Sequence, residues 1–153
     1  MMYSIGETAE IIGLNATTLR YYDKEGLLPF VDRSSKVIRL FKEEDFEWLR
    51  LIEYLKATGM PIKDIRKFIS LYTDGDTTLE ERRQMFYERK AAIEKQLEET
   101  QKMLDIVTYK CWFYDEACKR GSAADVKCIA DEKLPENIKN GRRELAGWKS
   151  SRG

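Results

Sequence analysis

Thr17-Thr18-Leu19-Arg20-Tyr21-Tyr22-Asp23-Lys24-Glu25-Gly26-Leu27-Leu28 carries most of the information about this chain. Leu19 and Tyr22 give a short helix its apolar face, and Gly26 suits the left-handed residue that ends one. Just upstream, Asn15 is a good helix cap and Gly13 a good terminator. Further back, Ser4-Ile5-Gly6-Glu7 has the form of a capping box, and Ile5, Ala9 and Ile12 fall on one helical face. Two short helices joined by about three residues, with glycine in the turn, form a helix-turn-helix.

Downstream, Leu27-Leu28-Pro29 leaves the second helix. Phe30 to Arg33 and Val37 to Phe41 are β-prone runs around Ser34-Ser35-Lys36, which predicts a hairpin, or wing. Glu43-Glu44-Asp45 favours a helix N-terminus, and Phe46, Leu49, Ile52 and Leu55 mark its buried stripe. Gly59 closes that helix, and Pro61 starts another whose apolar face is Ile62, Ile65, Phe68 and Ile69.

Asp74-Gly75-Asp76 is a break, and proline is absent from there to Arg120. Ile93, Leu97, Thr100, Leu104, Val107, Cys111, Tyr114 and Cys118 recur by alternating steps of four and three, a heptad seam. A long helix that is polar elsewhere cannot bury such a seam alone, so a partner helix is needed, and a second copy is the simplest. Ser122 to Gly153 has weak periodicity with Pro135, Gly141 and Gly147, and predicts a small appendage with one short helix and a frayed end. The organisation is therefore mainly α: a winged helix-turn-helix domain over 1–75, a coiled-coil dimerisation helix over 76–120, and an appendage over 121–153.

The chain has 153 residues and a formal net charge of zero, so it is not polybasic as a whole. Between Thr17 and Lys42, however, Arg20, Lys24, Arg33, Lys36, Arg39 and Lys42 outnumber Asp23, Glu25 and Asp32. That local excess points to nucleic acid. Histidine is absent, which removes the commonest general base and metal ligand, and no nucleophile elbow or phosphate loop appears. No catalytic residue, cofactor or metal site is expected, and the chain is not expected to be an enzyme. The N-terminus lacks signal-peptide regions and no apolar run approaches a membrane span, so a cytoplasmic protein is expected. Cys111, Cys118 and Cys128 form no CxxC pair. Cys111 and Cys118 lie one heptad apart, roughly 10 Å along a helix, and cannot reach one ion from the same chain.

The order of these elements resembles the MerR family of transcription regulators. The residues that carry the resemblance are Tyr3 to Glu7, Thr17 to Leu28, Ile38-Arg39-Leu40-Phe41, and Gly59 to Ile65. It is closest to short members associated with aldehyde and related stress responses. Those relatives carry a cysteine in the third helix where Tyr54 stands here, and usually cap that helix with serine or threonine where Lys42 stands.

The resemblance implies a homodimer held by an antiparallel coiled coil, acting on near-palindromic double-stranded promoter DNA at the nucleoid. It also implies distortion of that DNA, so that RNA polymerase is reached indirectly through the promoter, under control of an effector. Helix and wing residues Thr17, Thr18, Arg20, Tyr21, Lys24, Arg33, Lys36 and Arg39 are the candidate DNA contacts. Tyr54, with Tyr109, Trp112 and Phe113 near the end of the long helix, are candidates for a small organic or electrophilic effector. The same aromatic cluster is also readable as plain core. An architectural or excisionase-type DNA protein is the alternative, as is a coiled-coil adaptor that binds no DNA.

Overall fold

The computed structural model describes residues 1–29, 31 and 39–148. Most of the wing, including Arg33 and Lys36, lies outside the described residues. The chain forms two compact units, Met1–Lys90 and Ala91–Gly153, which meet within one long helix.

The first unit opens with β1 (Met2–Tyr3) and α1 (Ile5–Ile12), followed by α2 (Ala16–Lys24), β2 (Phe41–Lys42), α3 (Glu43–Ala57) and α4 (Ile62–Thr73). A 3-10 turn over Asp76–Thr78 then leads into α5 (Leu79–Arg120). The Ser4 hydroxyl accepts the Glu7 amide, and the Glu7 carboxylate accepts the Ser4 amide at 2.7 Å, which also lowers the Glu7 pKa. Gly13 and Gly26 end their helices at φ 76° and 73°, where a side chain would be strained. Asn15 occupies the cap position of α2 but makes no side-chain capping bond. At α3 the missing hydroxyl cap is replaced from the other side: the Asp45 carboxylate accepts the Lys42 amide at 2.7 Å. The predicted stripes of α3 and α4 are buried with Leu19, Tyr22, Leu27, Leu28 and Phe41 in one core, Ile62 being half-buried at its edge.

One element was not anticipated. The strand that leaves the wing pairs antiparallel with the N-terminus, Tyr3 opposite Phe41 and Met2 opposite Lys42. The wing's exit is thereby fixed to the start of α1. Tyr3 adds a tilted ring contact with Phe46 at 5.2 Å.

The first turns of α5 belong to this core. Phe86 stacks edge-on against Phe68 at 5.3 Å, Arg82 lies over the Tyr72 ring, and Arg89 donates to the Thr58 carbonyl. The compact unit therefore extends past residue 75, the boundary expected from the break at Gly75.

In the second unit α5 continues to Arg120, and the chain returns through α6 (Ala123–Lys127), a 3-10 turn (Asp131–Lys133) and α7 (Glu136–Gly147). The sequence predicted one short helix here, and two are present. Ser122 caps α6, accepting the Asp125 amide. Tyr109, Phe113 and Ala117 of α5 are buried against Val126 and Ile138. Arg142 ties the turn together, donating to the Ile129 carbonyl at 2.7 Å and pairing with Asp131 at 3.0 Å. At Gly141 the two helices touch backbone to backbone: a Cβ there would sit 2.0 Å from the Asp105 carbonyl oxygen.

The heptad seam is left largely uncovered. Leu97, Leu104, Val107 and Tyr114 are 67%, 55%, 57% and 60% exposed. At about 100° per residue these positions lie roughly 120–160° around α5 from Tyr109. So α5 bears two apolar stripes on different faces, one covered by the chain's own C-terminal helices and the other largely exposed, with Leu97 bordering a cleft beside Asn140 and Glu144 of α7. Among the described residues no helix is long and apolar enough to cross a membrane.

Candidate nucleic-acid interface

Helix α2 divides its residues between two tasks. Thr17, Arg20, Tyr21 and Lys24, spaced i, i+3, i+4 and i+7, share one exposed face, with the half-buried Thr18 at its edge. Tyr21 is 45% exposed, unusual for a large aromatic with a core beside it. The structure thus brings together all five candidate contacts predicted on this helix.

The other residues of the same run are tethers. Tyr22 is fully buried, its hydroxyl donating to the Glu53 carboxylate of α3 and accepting from Lys56 at 2.6 Å. Asp23 pairs with Arg39 at the exit of the wing. Glu25 takes the Arg66 guanidinium of α4 twice, through its carbonyl and its carboxylate, each at 2.6 Å. Helix α2 is therefore braced against α3, the wing and α4. Arg39, a predicted phosphate contact, lies at the flank of α2 with its guanidinium turned to Asp23.

Burial, then the Glu53 hydrogen bond and charge, push the Tyr22 phenol well above its ordinary value of 10.0. The neutral phenol is favoured in the folded chain. Its stabilisation is fully present below pH ~10 and declines above it, because the unfolded chain loses the proton first. Tyr22→Phe is expected to cost about 1–2 kcal/mol at neutral pH, since it strips Glu53 and Lys56 of a buried partner. The variant should also show a shallower loss of stability above pH ~10 in denaturant titrations. An unchanged midpoint at both pH values would contradict the tether.

Sequence reasoning missed a second basic surface. Lys63, Arg66, Lys67 and Ser70 follow the same i, i+3, i+4, i+7 spacing on α4 and line a cleft of about 570 Å³ with Gly26 and Pro29, beyond the C-terminal end of α2. The spacing is visible in the sequence as Lys63, Arg66, Lys67 and Ser70, but it belongs to no recognised motif.

The aromatic residues separate. Tyr109 lies 6.3 Å from Trp112 and 6.2 Å from Phe113, ring centre to ring centre. Tyr109 and Phe113 are core residues of the second unit, buried against the chain's own C-terminal helices. Trp112 is half-buried and borders a cleft of about 550 Å³ with Arg120, Cys128, Ile129, Lys133 and Pro135. Tyr54 is 62% exposed on α3 in the other unit. Cys111, Cys118 and Cys128 are all exposed thiols. Among the described residues no group of three or more His, Cys, Asp or Glu side chains converges as a metal site would require.

Residues 3–71 match the model of the MerR HTH family of regulatory proteins, and residues 46–108 match that of the MerR DNA-binding region. An HTH-type transcriptional regulator of Haemophilus influenzae, itself uncharacterised, is 42% identical over 136 residues, 89% of this chain and 98% of the relative. The chain belongs to the MerR family. MerR proteins are helix-turn-helix transcriptional regulators, and the mainly helical fold with its long C-terminal helix is theirs. A solved relative, HiNmlR, is described as a MerR family regulator lacking the sensor domain, bound to promoter DNA. It is 43% identical with a TM-score of 0.66, covering 84% of this chain and 100% of that one. The HTH-type transcriptional regulator AdhR of Bacillus subtilis is 39% identical over 92 residues, 60% of this chain and 66% of AdhR. A MerR structure from Bacillus thuringiensis is 38% identical with a TM-score of 0.62, covering 72% of this chain and 97% of its own.

Proposed function

We propose that this MerR protein binds a near-palindromic promoter element as a homodimer and distorts it in response to a small effector. The observation that carries the reading is the exposed face of α2, where Thr17, Arg20, Tyr21 and Lys24 converge on a braced helix. Such a face fits the major groove, with side chains near the helix N-terminus positioned for base edges. Arg39 and the wing's Arg33 and Lys36 supply phosphate contacts, and Lys63 and Lys67 of α4 extend that basic track. The exposed seam of α5 provides the dimer contact, as an antiparallel helix pair. Bending promoter DNA costs several kcal/mol, which a ligand-biased dimer supplies or withholds. RNA polymerase is then affected through the shape of the promoter, in the cytoplasm and at the nucleoid.

The effector is a small organic molecule taken up beside Trp112. Half-exposed indole, Ile129 and Pro135 offer an apolar wall, and the polar side carries Lys133, Asp125 and the Arg120–Glu116 ion pair. Tyr109 and Phe113 shape that wall from beneath. Tyr54 belongs to the other unit and is a separate candidate.

The test is a gel shift and footprint on the DNA upstream of the protein's own gene. Arg20→Ala and Tyr21→Ala are each expected to abolish specific binding without lowering the melting temperature. Arg39→Ala should weaken binding to every sequence and reduce the salt slope by about one unit. Unchanged shifts for all three variants would remove α2 and the wing as the interface.

A further inference from the structure

We infer that Asp23 is a positioning residue for DNA binding: it holds the Arg39 guanidinium at the flank of α2, so that the wing cation is ordered before DNA arrives. The inference rests on the promoter-binding reading and adds a residue to it. As a carboxylate beside a polyanion, Asp23 is the wrong charge for a direct contact. Its side chain is only 11% exposed, it sits in the last turn of α2, and it pairs with Arg39. Arg39 itself keeps 31% of its side chain exposed, so the guanidinium is held and yet reachable.

The backbone supports the same arrangement. Arg39 stands two residues before Phe41, which pairs with Tyr3 in the small sheet, so the chain beyond Arg39 is fixed. Tyr22 and Glu25 on either side of Asp23 brace α2 against α3 and α4. The carboxylate therefore stands on a rigid element and the arginine on an anchored strand. A free arginine side chain carries about 2 kcal/mol of rotamer entropy, part of which must be lost when it meets a phosphate. Asp23 removes that loss in advance. A guanidinium has five donors, so one edge can remain on the carboxylate while another faces a phosphate oxygen.

The experiment is a double-mutant cycle of Asp23→Asn and Arg39→Ala, with affinity for operator and non-operator DNA measured across a salt series. Asp23→Asn should weaken binding to both DNAs by roughly three- to tenfold, the share of arginine ordering that is no longer pre-set. It should leave the salt slope no lower than wild type, since no cation is lost. In the Arg39→Ala background the same substitution should no longer weaken binding, because the ordering that Asp23 supplies is carried by Arg39. Equal weakening in both backgrounds would make Asp23 a structural residue of α2 and overturn the inference. So would unchanged or tighter binding by Asp23→Asn, which would make the carboxylate a bystander or a brake. Asp23→Glu keeps the charge but displaces it, and should show the same non-additivity if the Asn variant fails to fold. If wild type does not shift promoter DNA at all, the function itself fails; if it does and the cycle is additive, only the role of Asp23 falls.

Discussion

Leu97→Asp combined with Leu104→Asp is expected to leave the chain monomeric at micromolar concentration and to abolish promoter binding, while both compact units stay folded. The two leucines are more than half exposed in the single chain, so the substitutions cost the monomer little. In a paired seam they would place carboxylates from both copies in an apolar interface. Each buried, unpaired charge costs several kcal/mol, far more than the roughly 1.5–3 kcal/mol a buried leucine contributes. Sedimentation equilibrium separates the outcomes. Wild type should sediment as a dimer and the variant as a monomer with an unchanged circular dichroism spectrum. A wild-type monomer, or a dimer that survives the double substitution, would remove the seam from the assembly.

Gly141→Ala is expected to have the largest effect on stability, and to leave the dimer intact. The added methyl would meet the Asp105 carbonyl oxygen at 2.0 Å, its carbon at 2.6 Å and the Tyr109 Cβ at 2.7 Å. Two of these atoms are backbone of a continuous helix, so neither can rotate away. Overpacking of this kind costs about 1–3 kcal/mol or more, and the cheapest escape is for α7 to lift off. Tyr109 and Phe113 would then lose their cover. The expected signs are loss of near-ultraviolet dichroism, fast amide exchange in α7 and a changed Trp112 fluorescence. Because the seam lies on a different face of α5 from the one that Gly141 packs against, sedimentation should still show a dimer. Protected α7 amides in the variant would mean that α7 does not pack where described.

These two predictions also show how far residues reveal structure on their own. Local signals were readable. The Ser4–Glu7 box, the terminators Gly13 and Gly26, and the stripes of α3 and α4 each depend on neighbours a few positions away. The heptad seam was readable because its period repeats, and its exposure in the single chain fits that reading. Pairing of Tyr3 with Phe41 was not, since strands of two residues leave no pattern and the partner is remote in sequence. Gly141 stands in a weakly periodic stretch that announces no packing role, yet it lies inside α7, where a neighbouring backbone leaves no room for a side chain. The charges of Asp23 and Glu25 were read only as a debit against local basicity. Their work as braces depends on Arg39 and Arg66, whose approach no local pattern announces. The outward face of α2 was found because its spacing is helical. The equal spacing on α4 falls within no motif, and its basic residues alone do not distinguish an interface from a solvated helix face.

The two stripes of α5 obey different laws of mass action. Docking of α6 and α7 onto Tyr109 and Phe113 is a first-order event, complete in a single chain however few copies a cell holds. Covering Leu97 and Leu104 in the proposed homodimer would be second order, since it would need another copy. Well below the dissociation constant of such a pair, the paired form grows with the square of the total chain. A twofold rise in synthesis then yields about a fourfold rise in the species that can span both halves of a near-palindrome. Transcription of the regulator's own gene would thus act as a dial on its target, even before any effector is bound.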